Sequence, residues 1–297
     1  MSKLLGYRIK VLFFCFVSVC QVYSTSIFAQ FPWGSCSSYL PITADTLAKH
    51  LLGAHILYEN AILNCPDLYT GYCKPTEDVG IGLNDSKVVL LGSAPFSEPT
   101  FFFQNTWIYG GFATWSAYAP GDSDLQNLLN TLGNGNTFSN YDRCALEFDM
   151  VPVTDTIQFR YIFATSASYA RPCDTLNNNI MGIFIQGNEY PTLTNFSTVP
   201  GTNLPVCAAT IADTPAYDSF DCGDYCEGCP HVEYFVDNYL GPAWISTSGY
   251  TLPLMAKAAV TPCDTYHIKI AIAAGRQMVD ITSDPPKMGA ALVLEAY

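Results

Sequence analysis

Four carboxylates in two short segments could offer hard oxygen ligands to one cation. Glu147 and Asp149 stand two residues apart in a strand-like segment, so both lie on one face with Cα atoms about 7 Å apart. Asp122 and Asp124 stand at the start of a predicted helix. Ca²⁺ prefers carboxylate oxygens, which makes Asp122, Asp124, Glu147 and Asp149 a candidate calcium site. A solvated sheet face beside a helix cap is the plainer interpretation, because no EF-hand spacing is present.

The pair Glu147 and Asp149 also admits a catalytic interpretation. Glycoside hydrolases place two carboxyl groups about 5–10 Å apart around the scissile bond. The tryptophans Trp107, Trp115 and Trp244 could line a sugar-binding cleft. The sequence gives no sign of the raised pKa that the proton donor of such an enzyme needs. We therefore expect no catalytic residue, and a secreted carbohydrate-active enzyme using Glu147 and Asp149 is the alternative.

Ten of the twelve cysteines follow residue 29, and an even number in an exported chain predicts a disulfide framework. Spacing alone does not reveal the pairing. Three of these cysteines and His231 fall within residues 222–231 and could ligate zinc, although an oxidising compartment favours cross-links. The candidate disulfide cysteines are Cys36, Cys65, Cys73, Cys144, Cys173, Cys207, Cys222, Cys226, Cys229 and Cys263.

The segments that carry these side chains are mostly strands. In the stretch 144–151, Leu146, Phe148 and Met150 alternate with the two carboxylates, which is the period of a half-buried strand. In 266–272, Tyr266 and three isoleucines share one face, with His267 and Lys269 opposite, and we expect His267 at the surface. The nearly continuous apolar runs 88–91, 180–185 and 290–294 predict central strands.

Two short helices are predicted beside the strands. One spans 43–53, and the other spans 122–133 with a leucine stripe, a capping residue at its start and a glycine at its end. The fold class is therefore mainly β, a β-sandwich or jelly-roll-like domain with about two peripheral helices. We expect one such domain over residues 30–297, with a Cys-rich inserted loop at about 208–249.

The N-terminal residues have the pattern of an export signal. Lys3, Arg8 and Lys10 precede an apolar run that is too short for a membrane span, and residues 1–29 are the predicted signal peptide. Its removal leaves 10 basic and 26 acidic residues, a net charge of −16, which excludes nucleic acid as a partner. We expect a secreted or cell-surface protein with no integral membrane span after cleavage.

Six segments in order resemble the choice-of-anchor L domain family, which occurs in exported proteins of Bacteroidetes and their relatives. The resemblance implies a β-rich extracellular domain and does not imply an enzymatic activity. Several positions that are acidic in that family are neutral here, among them Ala274, so a cation site that the family carboxylates form would be weakened. The segments are 51–53, 122–125, 146–152, 159–163, 199–202 and 265–272.

The sequence thus predicts a non-enzymatic extracellular or cell-surface β domain for adhesion, display or ligand binding, stabilised by disulfides. An extracellular protein or a glycan is the expected partner, and Ca²⁺ is the candidate cofactor. A structural subunit of a surface assembly is a further alternative, and the oligomeric state is left open. No nucleophile elbow, zinc-protease motif or phosphate-binding glycine loop is present.

Overall fold

The computed structural model describes residues 35–36, 42–53, 55–66, 69–74, 80–83, 87–93, 120–132, 138–165, 178–211, 230–238, 245, 247, 249–277 and 289–296. Across these residues the chain forms two antiparallel β-sheets. The sheets pack face to face, which confirms the predicted β-sandwich. Strands and helices are numbered below in chain order.

The strands of the first sheet are β1 (Ser35–Cys36), β3 (Thr70–Lys74), β4 (Lys87–Gly92), β6 (Thr156–Thr165), β9 (Phe235–Asp237), β10 (Gly249–Thr251), β11 (Leu254–Ala259) and β13 (Ala290–Ala296). Their order in the sheet is β1-β3-β4-β13-β6-β10-β9, and β11 pairs with the residues of β6 that precede those paired with β10. The strands of the second sheet are β2 (Leu57–Asn64), β5 (Phe138–Val151), β7 (Ile180–Gln186), β8 (Thr194–Asn195) and β12 (Tyr266–Gln277). Their order is β2-β5-β12-β7-β8.

The core between the sheets is built from alternating residues. Leu146 and Phe148 of β5 meet Ile268 and Ile270 of β12 there, as the period-two pattern predicts. A second apolar cluster covers the opposite face of the first sheet and contains residues of β4, β6 and β13. Because both faces of β4 and β13 are buried, the sequences of these two strands are nearly continuous apolar runs rather than alternating ones. The central strands predicted at 88–91, 180–185 and 290–294 are confirmed.

Both predicted helices are present. Helix α1 (Ala44–Leu52) has Thr43 as its N-cap and buries Leu47 and Leu51 in the core between the sheets. Helix α2 (Ser123–Thr131) starts at the N-cap Asp122 and packs Leu125 and Leu129 onto the outer face of the second sheet. Gly133, the predicted end of this helix, lies outside the described residues. A one-turn helix, α3 (Ala208–Ile211), was not predicted because four residues give too little periodicity.

Two bulges shape the second sheet. The register between β2 and β5 shifts between Glu59 and Ile62, where Asn60 has a φ of 55°. The register between β5 and β12 shifts in the same way beside Asp142, which has a φ of 52°. An extra residue of this kind bends the strand and redirects side chains near it.

The cysteines only partly follow the predicted framework. Cys65 forms a disulfide with Cys144, which joins the end of β2 to β5, and Cys73 is also disulfide-bonded. Cys207 and Cys263 are free thiols, so the prediction that they are cross-linked is wrong. Cys207 is fully buried beside Thr210, whereas Cys263 is exposed in the turn before β12. The side chains of the remaining candidates, Cys36, Cys173, Cys222, Cys226 and Cys229, lie outside the described residues.

Several predictions fall where the structure describes little. The predicted signal peptide 1–29 and most of the inserted loop 208–249 lie outside the described residues, together with Trp107, Trp115 and Trp244. Of the candidate zinc ligands only His231 is described, and its Nδ1 atom lies 3.4 Å from Oε1 of Glu233. In the part of the chain that is described, no helix is long and apolar enough to cross a membrane.

Candidate functional site

Six charged side chains gather on the outer face of the second sheet, beside the start of α2. We call them the charged row. Its members are Asp122, Asp124, Lys269, Glu147, His267 and Asp149. All four carboxylates of the candidate site therefore lie on one surface, as the alternation along β5 and the cap of α2 predict.

Strand register sets the order of the row. His267 of β12 stands directly opposite Asp149 of β5, and Lys269 stands directly opposite Glu147. Each directly opposed pair in an antiparallel sheet brings two side chains of one face together. Lys269 and His267 thus alternate with the two strand carboxylates across the sheet.

His267 lies between both strand carboxylates. Its Nδ1 atom is 2.8 Å from Oδ1 of Asp149, and its Nε2 atom is 3.5 Å from Oε2 of Glu147. The contact with Glu147, followed by that with Asp149, raises the pKa of His267 above its ordinary value although partial burial opposes this shift. His267 therefore lies on the outer face of its strand, as predicted. Its ring is held between the two carboxylates rather than surrounded by solvent.

The pKa of Glu147 is held below its ordinary value, chiefly by the hydrogen bond with His267 and further by the charge of Lys269. For Asp149, partial burial raises the pKa, but hydrogen bonds from Asn60 and His267 outweigh it and the net shift is downward. Both carboxylates are thus held ionised. A proton donor of a glycoside hydrolase requires the opposite shift.

Two asparagines of β2 complete the surroundings of the strand carboxylates. Asn60 donates its side-chain amide to Oδ2 of Asp149 at 2.7 Å, and Asn64 donates to Oε1 of Glu147 at 3.4 Å. Asn60 reaches Asp149 from the bulge in β2. Nothing in the residue pattern indicates that bulge, and for this reason the sequence did not identify Asn60 as part of the site.

Lys269 connects the sheet to α2. Its Nζ atom lies 2.7 Å from Oδ2 of Asp122 and 2.6 Å from Oδ2 of Asp124, and 5.9 Å from the centre of the Phe184 ring. The lysine side chain is only 8% exposed. Burial alone would lower its pKa, but the two aspartates outweigh burial and raise the pKa. The alternation along β12 placed Lys269 on this face, but its burial under α2 was missed.

The four carboxylates of the charged row are already paired with basic side chains of the protein, Lys269 and His267. Within the described part of the chain, no group of three or more His, Cys, Asp or Glu side chains is arranged to hold a metal ion. A calcium ion at Asp122, Asp124, Glu147 and Asp149 would have to compete with Lys269 and His267. Calcium binding by these residues therefore stays a prediction.

Comparison with known proteins gives a match to one protein family. A family model described as "Choice-of-anchor L domain" matches residues 88–283, which is more than half of the sequence. The match includes α2, β5 and β12, the elements that carry the charged row. No curated protein and no solved structure matches the chain.

Proposed function

Because the chain belongs to the choice-of-anchor L family, we propose that it is a non-enzymatic extracellular β domain for adhesion, display or ligand binding. The family implies an exported or cell-surface protein and is not an enzyme family. Disulfides such as Cys65–Cys144 would stabilise the domain outside the cell. The finer role, contact with an extracellular protein or glycan, is the part that needs an experiment.

One observation carries the proposal. Glu147 and Asp149 are both held ionised by His267 and their amide neighbours, so neither is prepared to donate a proton. A set of fixed charges and amides on a sheet face instead suits recognition, where side chains need to be positioned rather than titrated. The lowered pKa values therefore speak against the alternative, a carbohydrate-active enzyme that uses Glu147 or Asp149 as its proton donor.

The test measures binding of the protein to immobilised surfaces and its enzymatic turnover of polysaccharides in parallel. The purified exported protein is passed over immobilised polysaccharides and extracellular-matrix proteins, and the release of reducing ends from the same polysaccharides is measured in parallel. The proposal expects retention on at least one surface without release of reducing ends. Turnover that Glu147→Gln abolishes would overturn it and establish the enzyme. Absence of retention on every surface would reject the binding role.

Calcium is the candidate cofactor of this function. Thermal melts of the oxidised protein in excess calcium and in EDTA measure it, because a ligand of the native state at a hundred times its Kd adds about 2.7 kcal/mol to stability. A calcium-dependent rise that Asp149→Asn removes would support a site at the charged row. Superimposable curves would reject calcium there.

A further inference from the structure

Two large aliphatic side chains of β2 lie in solvent. Leu57 is 73% exposed and Ile62 is 52% exposed. Neither side chain belongs to an apolar cluster formed by the described residues. The next residue, Leu63, in contrast packs against the core between the sheets. Exposed side chains of this size leave apolar surface in water, and an interaction partner would gain free energy by covering it.

The bulge in β2 turns Ile62 outward. Glu59 stands opposite Asp149 and Ile62 stands opposite Glu147, so three steps along β2 match two steps along β5. Without the extra residue, the alternation along the strand would point Ile62 toward the core. The bulge therefore places Leu57, Glu59 and Ile62 together on the outer face of the second sheet.

The apolar surface continues onto β5. Leu57 stands opposite Val151, which is partly exposed, and Val153 in the β5–β6 turn is 67% exposed. We call Leu57, Ile62, Val151 and Val153 the apolar strip. Exposed apolar surface with polar residues around it is characteristic of sites that bind other proteins.

Three carboxylates lie beside the apolar strip. Glu59 is exposed on β2, and Glu147 and Asp149 stand opposite this part of β2 on β5. His267 is the basic side chain in contact with the two carboxylates of β5, so acidic groups are in excess here even when His267 is protonated. Lys269 does not cancel this excess, because its side chain is only 8% exposed and its ammonium group is held by the aspartates at the start of α2.

We propose that the apolar strip and the carboxylates beside it bind an extracellular protein whose contact surface presents arginine or lysine among aliphatic or aromatic side chains. This inference rests on the proposed binding function, and it names the surface and the class of partner. Burial of Leu57 and Ile62 against the partner would supply affinity. The carboxylates would pair with the basic side chains of the partner and fix the orientation of the two surfaces.

The surface favours a basic protein over two other occupants. A second copy of the chain would bring the same carboxylates face to face, and like charges oppose such a contact. A neutral glycan offers mainly hydroxyl groups, which cover aliphatic side chains less favourably than the apolar surface of a protein does. Attraction between exposed charges is screened by salt, so binding of a basic partner should weaken as ionic strength rises.

The test selects peptides from a library of random dodecapeptides on the immobilised exported protein and measures the binding of the recovered peptides by fluorescence anisotropy. We expect these peptides to carry arginine or lysine beside aliphatic or aromatic residues. Their binding should weaken at least about threefold between about 0.1 M and about 1 M salt.

Two pairs of variants locate the binding. Ile62→Ser should weaken it at least about tenfold, whereas Met255→Ser changes a side chain that is 43% exposed on the first sheet and should leave binding unchanged. Glu59→Lys should also weaken binding at least about tenfold, whereas the control Glu233→Lys changes an exposed glutamate beside β9 and should not. Circular dichroism verifies that all four variants are folded.

Recovered peptides without basic residues would overturn the proposal, as would recovery of no peptide with a Kd below about 1 mM. A dimer that Ile62→Ser abolishes would assign the apolar strip to a second copy and contradict a foreign partner. Retention on a polysaccharide that Ile62→Ser abolishes would assign the strip to a glycan and contradict a protein partner. If Ile62→Ser and Glu59→Lys both leave retention on an extracellular-matrix protein unchanged, this surface is rejected as the site while the proposed function stands.

Discussion

Lys269 and Asp122 connect the central strand of the second sheet to the N-cap of the helix that covers it, with Nζ and Oδ2 2.7 Å apart. Asp122 performs two tasks at once, because its Oδ1 atom accepts the backbone N–H groups of Asp124 and Leu125. One carboxylate therefore caps α2 and pairs with the buried lysine. This relationship makes the position of α2 depend on a charge in the sheet.

Replacement of Lys269 by methionine should destabilise the protein by about 3–5 kcal/mol, because it leaves the buried carboxylate of Asp122 without its cation. Urea unfolding followed by fluorescence measures the change. The matched control is Lys257→Met, which removes an exposed lysine on β11 and should change stability by less than about 0.5 kcal/mol. Equal effects of the two substitutions would show that the contact with Asp122 does not matter for stability.

His267 should make stability fall as the pH rises above 6.5. Its pKa is raised above 6.5 in the folded protein, so its ion pairs contribute fully below pH 6.5 and are lost as pH rises through the raised pKa. The lowered pKa of Glu147 has the opposite sign, and its contribution is present above pH 4.5 and lost as pH falls through the lowered value. The combined contribution is therefore largest between these two ordinary values.

Unfolding free energies at about pH 6 and about pH 9 measure the effect of His267. The wild type should be less stable at the higher pH, and His267→Gln should show a smaller difference between the two conditions. If both proteins lost the same stability, the dependence would come from other groups.

The Cys65–Cys144 disulfide closes a long loop, because the two cysteines have a sequence separation of 79. Replacing both cysteines by alanine should cost about 2–5 kcal/mol, because the unfolded chain regains the freedom that the cross-link removes. Thermal unfolding under oxidising conditions measures the loss. Cys263→Ala is the control, since this thiol is free and exposed and its removal should be nearly neutral. A double variant as stable as the control would contradict a structural role for this disulfide.

Tyr161 should tolerate the loss of its hydroxyl. The side chain is fully buried in the core between the sheets, and its hydroxyl has no hydrogen-bond partner among the residues that the structure describes. Tyr161→Phe is therefore expected to leave stability unchanged or raise it by about 1 kcal/mol, because an unsatisfied polar group leaves the core.

The matched comparison for this substitution is Tyr266→Phe. The hydroxyl of Tyr266 accepts the backbone N–H of Thr261 at 2.8 Å and also contacts Glu189, so its removal should cost about 1–2 kcal/mol. Chemical denaturation of the two variants in parallel gives the contrast. A larger loss for Tyr161→Phe than for Tyr266→Phe would be inconsistent with these hydrogen-bond assignments.

The sequence predicted those parts of the fold that depend on local periodicity. The alternation in 144–151 and 266–272 gave the core faces of β5 and β12, and the capping residue with its leucine stripe gave α2. The same alternation put Glu147, Asp149 and His267 on one surface. It could not reveal which residues stand opposite one another, because register depends on contacts between strands far apart in the chain.

The features of the site that could not be predicted from the sequence depend on tertiary structure. Asn60 reaches Asp149 only because β2 bulges at that point, and Lys269 is buried only because α2 lies over the sheet. The free thiol of Cys207 lies in the interior beside Thr210. A count of cysteines cannot distinguish a buried thiol from a cross-linked one.

The central claim is that Glu147 and Asp149 form a fixed, ionised surface and not an acid catalyst. NMR titration of their side-chain carboxyl carbons, with His267→Gln as the comparison, tests it most directly. We expect both pKa values to lie below the ordinary values of 4.5 for Glu147 and 3.8 for Asp149, and to rise toward them in His267→Gln. A pKa of either carboxyl raised to about 6, as a glycoside hydrolase acid requires, would contradict the account.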